Sequence, residues 1–192
     1  FLSTFSEGVA ALDAADFEID GTTTATITSV NPTSSSTYKI TVSGGDLATF
    51  DGTVGLNLAA GQNITDLAGN VLPGSEPATD LSYVVDHTAP VLDSMALSNP
   101  ATSPTNADSL TFLATFNEDV TGVDAADFSV NGATTATVTG VNQTSASTYE
   151  ITVSGGDLAN LEGAVGIDVV GGQNILDLAG NALPDAEATT DD

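Results

Sequence analysis

The chain has 192 residues, 41% of them hydrophobic and only 5% aromatic, with no Trp, no Cys and one base, Lys39, against 26 acids. The net charge of −25 leaves no cations with which to release counterions from nucleic acid or an anionic lipid surface, so neither is expected as a partner. The missing cysteines exclude disulfides, thiolate metal sites and cysteine nucleophiles.

A chain this acidic invites a disordered reading. The mean hydropathy of +0.15 and the alternation of apolar with polar residues argue instead for packed sheets. Such acidity keeps a surface soluble in salty water and attracts divalent cations. No apolar run reaches membrane-spanning length, so insertion into a bilayer is not expected. The opening FLSTFSEGVA carries no basic region and no cleavage site, and does not read as a signal peptide.

In chain order, the first elements already announce a repeat. FLSTFSEGV at 1–9 returns as FLATFNEDV at 112–120, and LDAADF at 12–17 returns as VDAADF at 123–128. STYKITVSGGDLA at 36–48 returns as STYEITVSGGDLA at 147–159, and GQNITDLAGNVLP at 61–73 as GQNILDLAGNALP at 172–184. An offset of 111 aligns the two copies without a gap, with 50 of 81 positions identical. A period of that size is a whole domain rather than a solenoid unit. We therefore expect two domains, residues 1–86 and 87–192. Compared with one full period, the first lacks its opening strand and the second its closing strand. Either the sequence is an excerpt of a longer array, or neighbouring chains donate strands to open sheet edges.

Within a copy the period is two. LSYVVD (81–86), VLDSMAL (91–97), SLTFLATF (109–116), ADFSVNG (126–132), TTATVTGV (134–141), TYEITVSG (148–155) and AVGIDVVG (164–171) read as strands rich in Thr, Val, Ile and Tyr. NG, SGG and AGN separate them as turns, and only DAAD and GGDLAN suggest a helical turn. About seven short strands per 100 residues indicate an all-β protein of tandem Ig-like Greek-key β-sandwiches. VVDHTAP is the linker, with Pro90 holding Ala89 extended.

DLAGN stands at 66–70 and again at 177–181. A tight turn accounts for the five letters alone, since Gly and Asn tolerate positive φ and Asp can bond to the backbone two residues on. In an Ig-type sandwich, however, the turn NEDVTGVDAAD (117–127), the turn DLAGNALPDAEATTDD (177–192) and the linker DHTAP (86–90) share one end of the domain. Asp86, Glu118, Asp119, Asp177 and Asn181 would then converge, with no base in that copy to neutralise them. Ca²⁺, which takes six to eight oxygens from flexible loops, would do so. The first copy offers Glu7, Asp66 and Asn70, with Gly8 in place of Asp119. DFEIDG at 16–21 lacks the remaining ligands of an EF-hand loop.

Catalysis has little to work with. His87 is the single histidine and reads as a solvated linker residue. A glycosidase-like carboxylate pair would need a cleft with aromatic platforms, and Trp is absent. The Thr-rich strands are ordinary strand formers. Asn63-Ile-Thr and Asn142-Gln-Thr fit the N-glycosylation pattern. The chain is not expected to be an enzyme.

FSEGV and FNEDV, both copies of DLAGN and the DHTAP linker resemble the bacterial Ig-like repeats of very large surface adhesins and related secreted proteins. The resemblance covers nearly the whole chain. It implies a secreted or cell-surface stalk whose beads are held stiff by Ca²⁺ at their junctions. The expected partners are neighbouring repeats of the same polypeptide or identical chains joined head to tail. Two further readings stay open: a filament or matrix subunit assembled by strand donation, and a carbohydrate-binding or enzyme-accessory module facing a surface glycan.

Overall fold

The computed structural model describes residues 1–73 and 82–185. The chain is all-β, built of antiparallel sheets in two compact units, Phe1–His87 and Thr88–Asp192. Among the described residues no helix is long and apolar enough to cross a membrane.

The first unit holds β1 (Leu2–Thr4), β2 (Val9–Ala10), β3 (Phe17–Asp20), β4 (Thr26–Pro32), β5 (Thr37–Ser43), β6 (Gly52–Leu58), β7 (Thr65–Asp66) and β8 (Tyr83–Val85). They form sheets in the orders β1-β5-β4, β3-β6-β8 and β2-β7. The second unit holds β9 (Leu92–Asn99), β10 (Ser109–Phe116), β11 (Val120–Thr121), β12 (Phe128–Asn131), β13 (Thr137–Ser145), β14 (Thr148–Ser154), β15 (Gly166–Val169) and β16 (Leu176–Asp177). Their orders are β13-β14-β10-β9, β12-β15 and β11-β16.

The period of two places the core of the second unit. Along β14, Tyr149, Ile151 and Val153 are buried and alternate with half-buried residues. On β10 they meet Phe112 opposite Ile151 and Ala114 opposite Tyr149. Phe128 of β12 and Ile167 of β15 join the same buried cluster, so two sheets close over one core as in a sandwich. Cross-strand pairs of this kind are the unit of sheet stability. Tyr149 also donates its hydroxyl to the Val120 carbonyl at 2.8 Å, and Tyr38 does the same to Val9 at 3.1 Å in the first unit. A buried phenol thereby keeps its polar end satisfied.

Two segments differ from the sequence expectation. The strand expected over 134–141 begins at Thr137 and runs on to Ser145. Thr134 and Thr135 are drawn out of the ladder by Asp157, whose Oδ1 accepts the Thr134 hydroxyl at 2.7 Å and the Thr135 N–H at 2.8 Å. The strand expected over 164–171 is reduced to Gly166–Val169. The DAAD expectation became a 3-10 turn in both copies, Ala14–Asp16 and Ala125–Asp127, whereas GGDLAN gave one only at Leu158–Asn160.

Candidate metal centre

DLAGN is more than a turn between strands. Its Asp belongs to a two-residue ladder, with Val120 opposite Asp177 and Val9 opposite Asp66. That ladder brings the turn before β11 alongside the repeated Asp. In the second unit a carboxylate oxygen of Glu118 lies within 4.8 Å of one of Asp177. Two oxygens on one Ca²⁺, each at about 2.4 Å, stand no more than about 5 Å apart, so the separation suits a shared ion.

The turn consumes part of its own carboxylate. Asp177 Oδ1 accepts the N–H groups of Gly180 at 2.6 Å and Asn181 at 2.8 Å, while Oδ2 accepts the Asn181 side-chain amide at 2.7 Å. Oδ1 is thereby filled, and Oδ2, with two lone pairs, has capacity for a second partner. Asp66 repeats the pattern with Ala68 N, Asn70 N and Asn70 Nδ2. Gly69 and Gly180 sit at φ +92° and +97°, the left-handed region that closes such a loop.

Asn181 also donates to the Thr88 carbonyl at 3.2 Å. The Asn117 side chain accepts the Val91 N–H at 2.7 Å, and the Asn117 N–H donates to the Val91 carbonyl at 3.0 Å. Within this unit the start of the chain, the 117–119 turn and DLAGN are therefore gathered at one end. Asp119 is exposed and acts on Tyr149, whose phenol is pushed above its ordinary pKa by burial and then by this carboxylate.

In the first unit Glu7 is exposed, and a side chain at Gly8 would meet Leu67 at 3.4 Å. Asp86 is half-buried at the unit's end, next to His87. His87 is exposed yet tethered: its N–H donates to Asp51 at 2.5 Å and its Nδ1 lies 2.9 Å from the Phe50 carbonyl. Residues 186–192, expected to extend the second DLAGN turn, lie outside the described residues, as does Leu81 of the LSYVVD strand.

Every donor in this set is a hard oxygen, which suits Ca²⁺ and not a soft metal. Sequence reasoning missed two residues that support the site. Asp16 and Asp127 are buried; Asp127 Oδ2 accepts the Asp124 N–H at 2.7 Å and Oδ1 the Asn174 N–H at 3.3 Å. The signal was present as a capping box, Asp with a second Asp three residues on.

The turn carboxylates titrate low. The Asn70 side chain, then its N–H, holds Asp66 below the ordinary carboxylate range. For Asp177 burial pushes upward, and the Asn181 side chain with the N–H groups of Asn181 and Gly180 outweighs it. Depressed folded-state values contribute stability above the unfolded pKa, about 3.9, and that contribution is lost as pH falls through the folded value. Thermal melts from pH 5 to pH 2 should therefore show melting falling mainly below about pH 3.9, with a smaller drop in Asp66→Asn. An unchanged acid limb in that variant would contradict the assignment.

No protein-family model matches the chain, and no curated protein matches it. Among solved structures it is similar to FdeC, an Escherichia coli adhesin, at 14% identity and a TM-score of 0.35 over 94% of this chain. The chain spans about half of that structure, 52% of its length.

Proposed function

We propose that the chain is a structural repeat module of a secreted or cell-surface bacterial adhesin: tandem Ig-like sandwiches acting as a spacer whose junction is stiffened by Ca²⁺. It is not an enzyme in this reading. The observation that carries it is the Glu118–Asp177 carboxylate pair, set beside a turn that grips the Thr88 carbonyl. Asp86 would add a third carboxylate to this set. Asp119 adds negative charge, and Asn181 orders the turn. Glu7, Asp66 and Asn70 would serve the equivalent place in the first copy. Without the ion, the like charges of these carboxylates repel; with it, they are bridged.

Calcium titrated into metal-stripped protein should release or absorb heat saturably and raise the melting temperature. At one hundred times its dissociation constant the expected stabilisation is about 2.7 kcal/mol. Glu118→Gln should weaken binding at least tenfold. No heat and no shift at millimolar Ca²⁺ would sink the reading.

A further inference from the structure

The two copies place the acids of one ladder on opposite strands. At the offset of 111, β3 and β6 of the first unit correspond to β12 and β15 of the second. The registers agree: Glu18 faces Asn57 and Asp20 faces Gly55, while Ser129 faces Asp168 and Asn131 faces Gly166. On this side of the ladder the first unit carries its acids, Glu18 and Asp20, on the earlier strand and an amide, Asn57, on the later one. The second unit has the reverse, with Ser129 and Asn131 on the earlier strand and Asp168 on the later.

Contacts bear the arrangement out. Asn131 donates its amide to Asp168 Oδ1 at 2.8 Å. Its side chain lies over Gly166, where an added Cβ would stand 2.5 Å from Asn131 Oδ1, and Asp20 lies over Gly55 in the same way, at 3.3 Å. Directly across the ladder, Glu18 thus meets an amide, Asp20 a glycine and Asp168 a hydroxyl.

The other side of the ladder does not tell the copies apart. Phe17 faces Leu58 and Ile19 faces Leu56, while Phe128 faces Val169 and Val130 faces Ile167, so every combination is apolar. β5 and β14 differ only at Lys39 against Glu150, and each of these faces an Asn, Asn31 or Asn142. With 50 of 81 positions identical, a strand can meet the partner of the other copy while the chain folds. Exchange of this kind is a characteristic failure of repeat proteins. Pairing β3 with β15 would set Asp168 directly opposite Glu18 and diagonal to Asp20, and like charges directly opposite are destabilising. The complementary exchange, β12 with β6, would leave Asn131 and Asn57 without a carboxylate.

We propose that Glu18, Asp20 and Asp168 sort the strands: they make a strand from the wrong copy repel, so that each unit closes on its own partner. Discrimination then comes from a penalty on the wrong pairing as well as from the Asn131–Asp168 bond in the right one. The proposal is independent of calcium, since none of the proposed ligands lies on these four strands.

The test refolds the full chain by dilution from urea and then applies a second, brief unfolding step. The fraction that unfolds at a rate other than the native one measures exchanged molecules. Ser129→Glu, Asn131→Asp and Asp168→Asn together give the second unit the arrangement of the first. This uniform variant should melt as the parent does, yet its exchanged fraction should rise at least threefold. Adding Glu18→Ser, Asp20→Asn and Asn57→Asp restores the difference with the strands reversed, and should return the fraction to the parent's level. A uniform variant that refolds as cleanly as the parent would overturn the proposal, as would a reversed variant that exchanges as much as the uniform one. A second unit that melts well below the parent's in the uniform variant would overturn it too, because the two arrangements would then not be interchangeable.

Discussion

Asp127→Ala is expected to destabilise the second unit by about 3–5 kcal/mol, because two backbone N–H groups lose a buried carboxylate at once. Asp127 is 2% exposed, and its two oxygens face different segments: Oδ2 takes Asp124 N at the head of its own 3-10 turn, and Oδ1 takes Asn174 N from the loop that leads into DLAGN. Its carbonyl also accepts the N–H of Val170 at 2.8 Å, just beyond β15. One residue therefore ties the 125–127 turn to the segment that positions Ile175 and Asp177. Hydrogen bonds to a carboxylate contribute about 1.5–3 kcal/mol each, and the one at 3.3 Å lies at the weak end. Asp127→Asn keeps one carbonyl acceptor and should lose roughly half as much. Urea denaturation of the three proteins gives the comparison. A loss below about 1 kcal/mol in the alanine variant would mean that water replaces the carboxylate and the tie is not structural.

The tie shows where the sequence was readable and where it was not. Alternation in TYEITVS and SLTFLATF exposed the two central strands, because half-buried sheet positions force apolar and polar residues to take turns. The 111-residue repeat located equivalent elements without any structural input. DAAD read as a helical turn and no more; charge alone cannot tell an exposed Asp from one that caps a turn and is buried by a distant loop. Pattern also fails for β11 and β16, since two residues carry no period. Yet their pairing sets Glu118 beside Asp177. The nearness of Glu118 and Asp177 was readable as topology; the extent to which Asn181 and the turn backbone occupy the Asp177 oxygens was not. Nor was the shortening of the strand at 164–171 to Gly166–Val169.

Ile175→Ala should lower the stability of the second unit by about 4 kcal/mol, near the upper part of the range for truncating a buried aliphatic side chain. Ile175 has no exposed surface, and its backbone is fixed on both sides: its N–H donates to Gln173 Oε1 at 2.6 Å and its carbonyl accepts the Leu183 N–H at 3.0 Å. With the chain held before and after it, the site has little freedom to collapse, and the cavity persists. For a unit of about 100 residues the loss corresponds to a fall in melting temperature on the order of 15–30 °C. Ile175→Val, removing one methyl, should cost about 0.5–1.5 kcal/mol. Ile64, equally buried in the first unit, should behave alike, since Gln62 and Leu72 hold it in the same way. The comparison bears on the candidate metal site because Asp177 follows Ile175 by two residues. The repeated GQNI-x-DLAGN then reads as one device: Ile anchors the turn in the core, Gln pins its flank, and Asp with Asn shapes the tip. If Ile175→Ala melts close to the parent protein, the anchor is wrong, and the turn is held by its own hydrogen bonds instead.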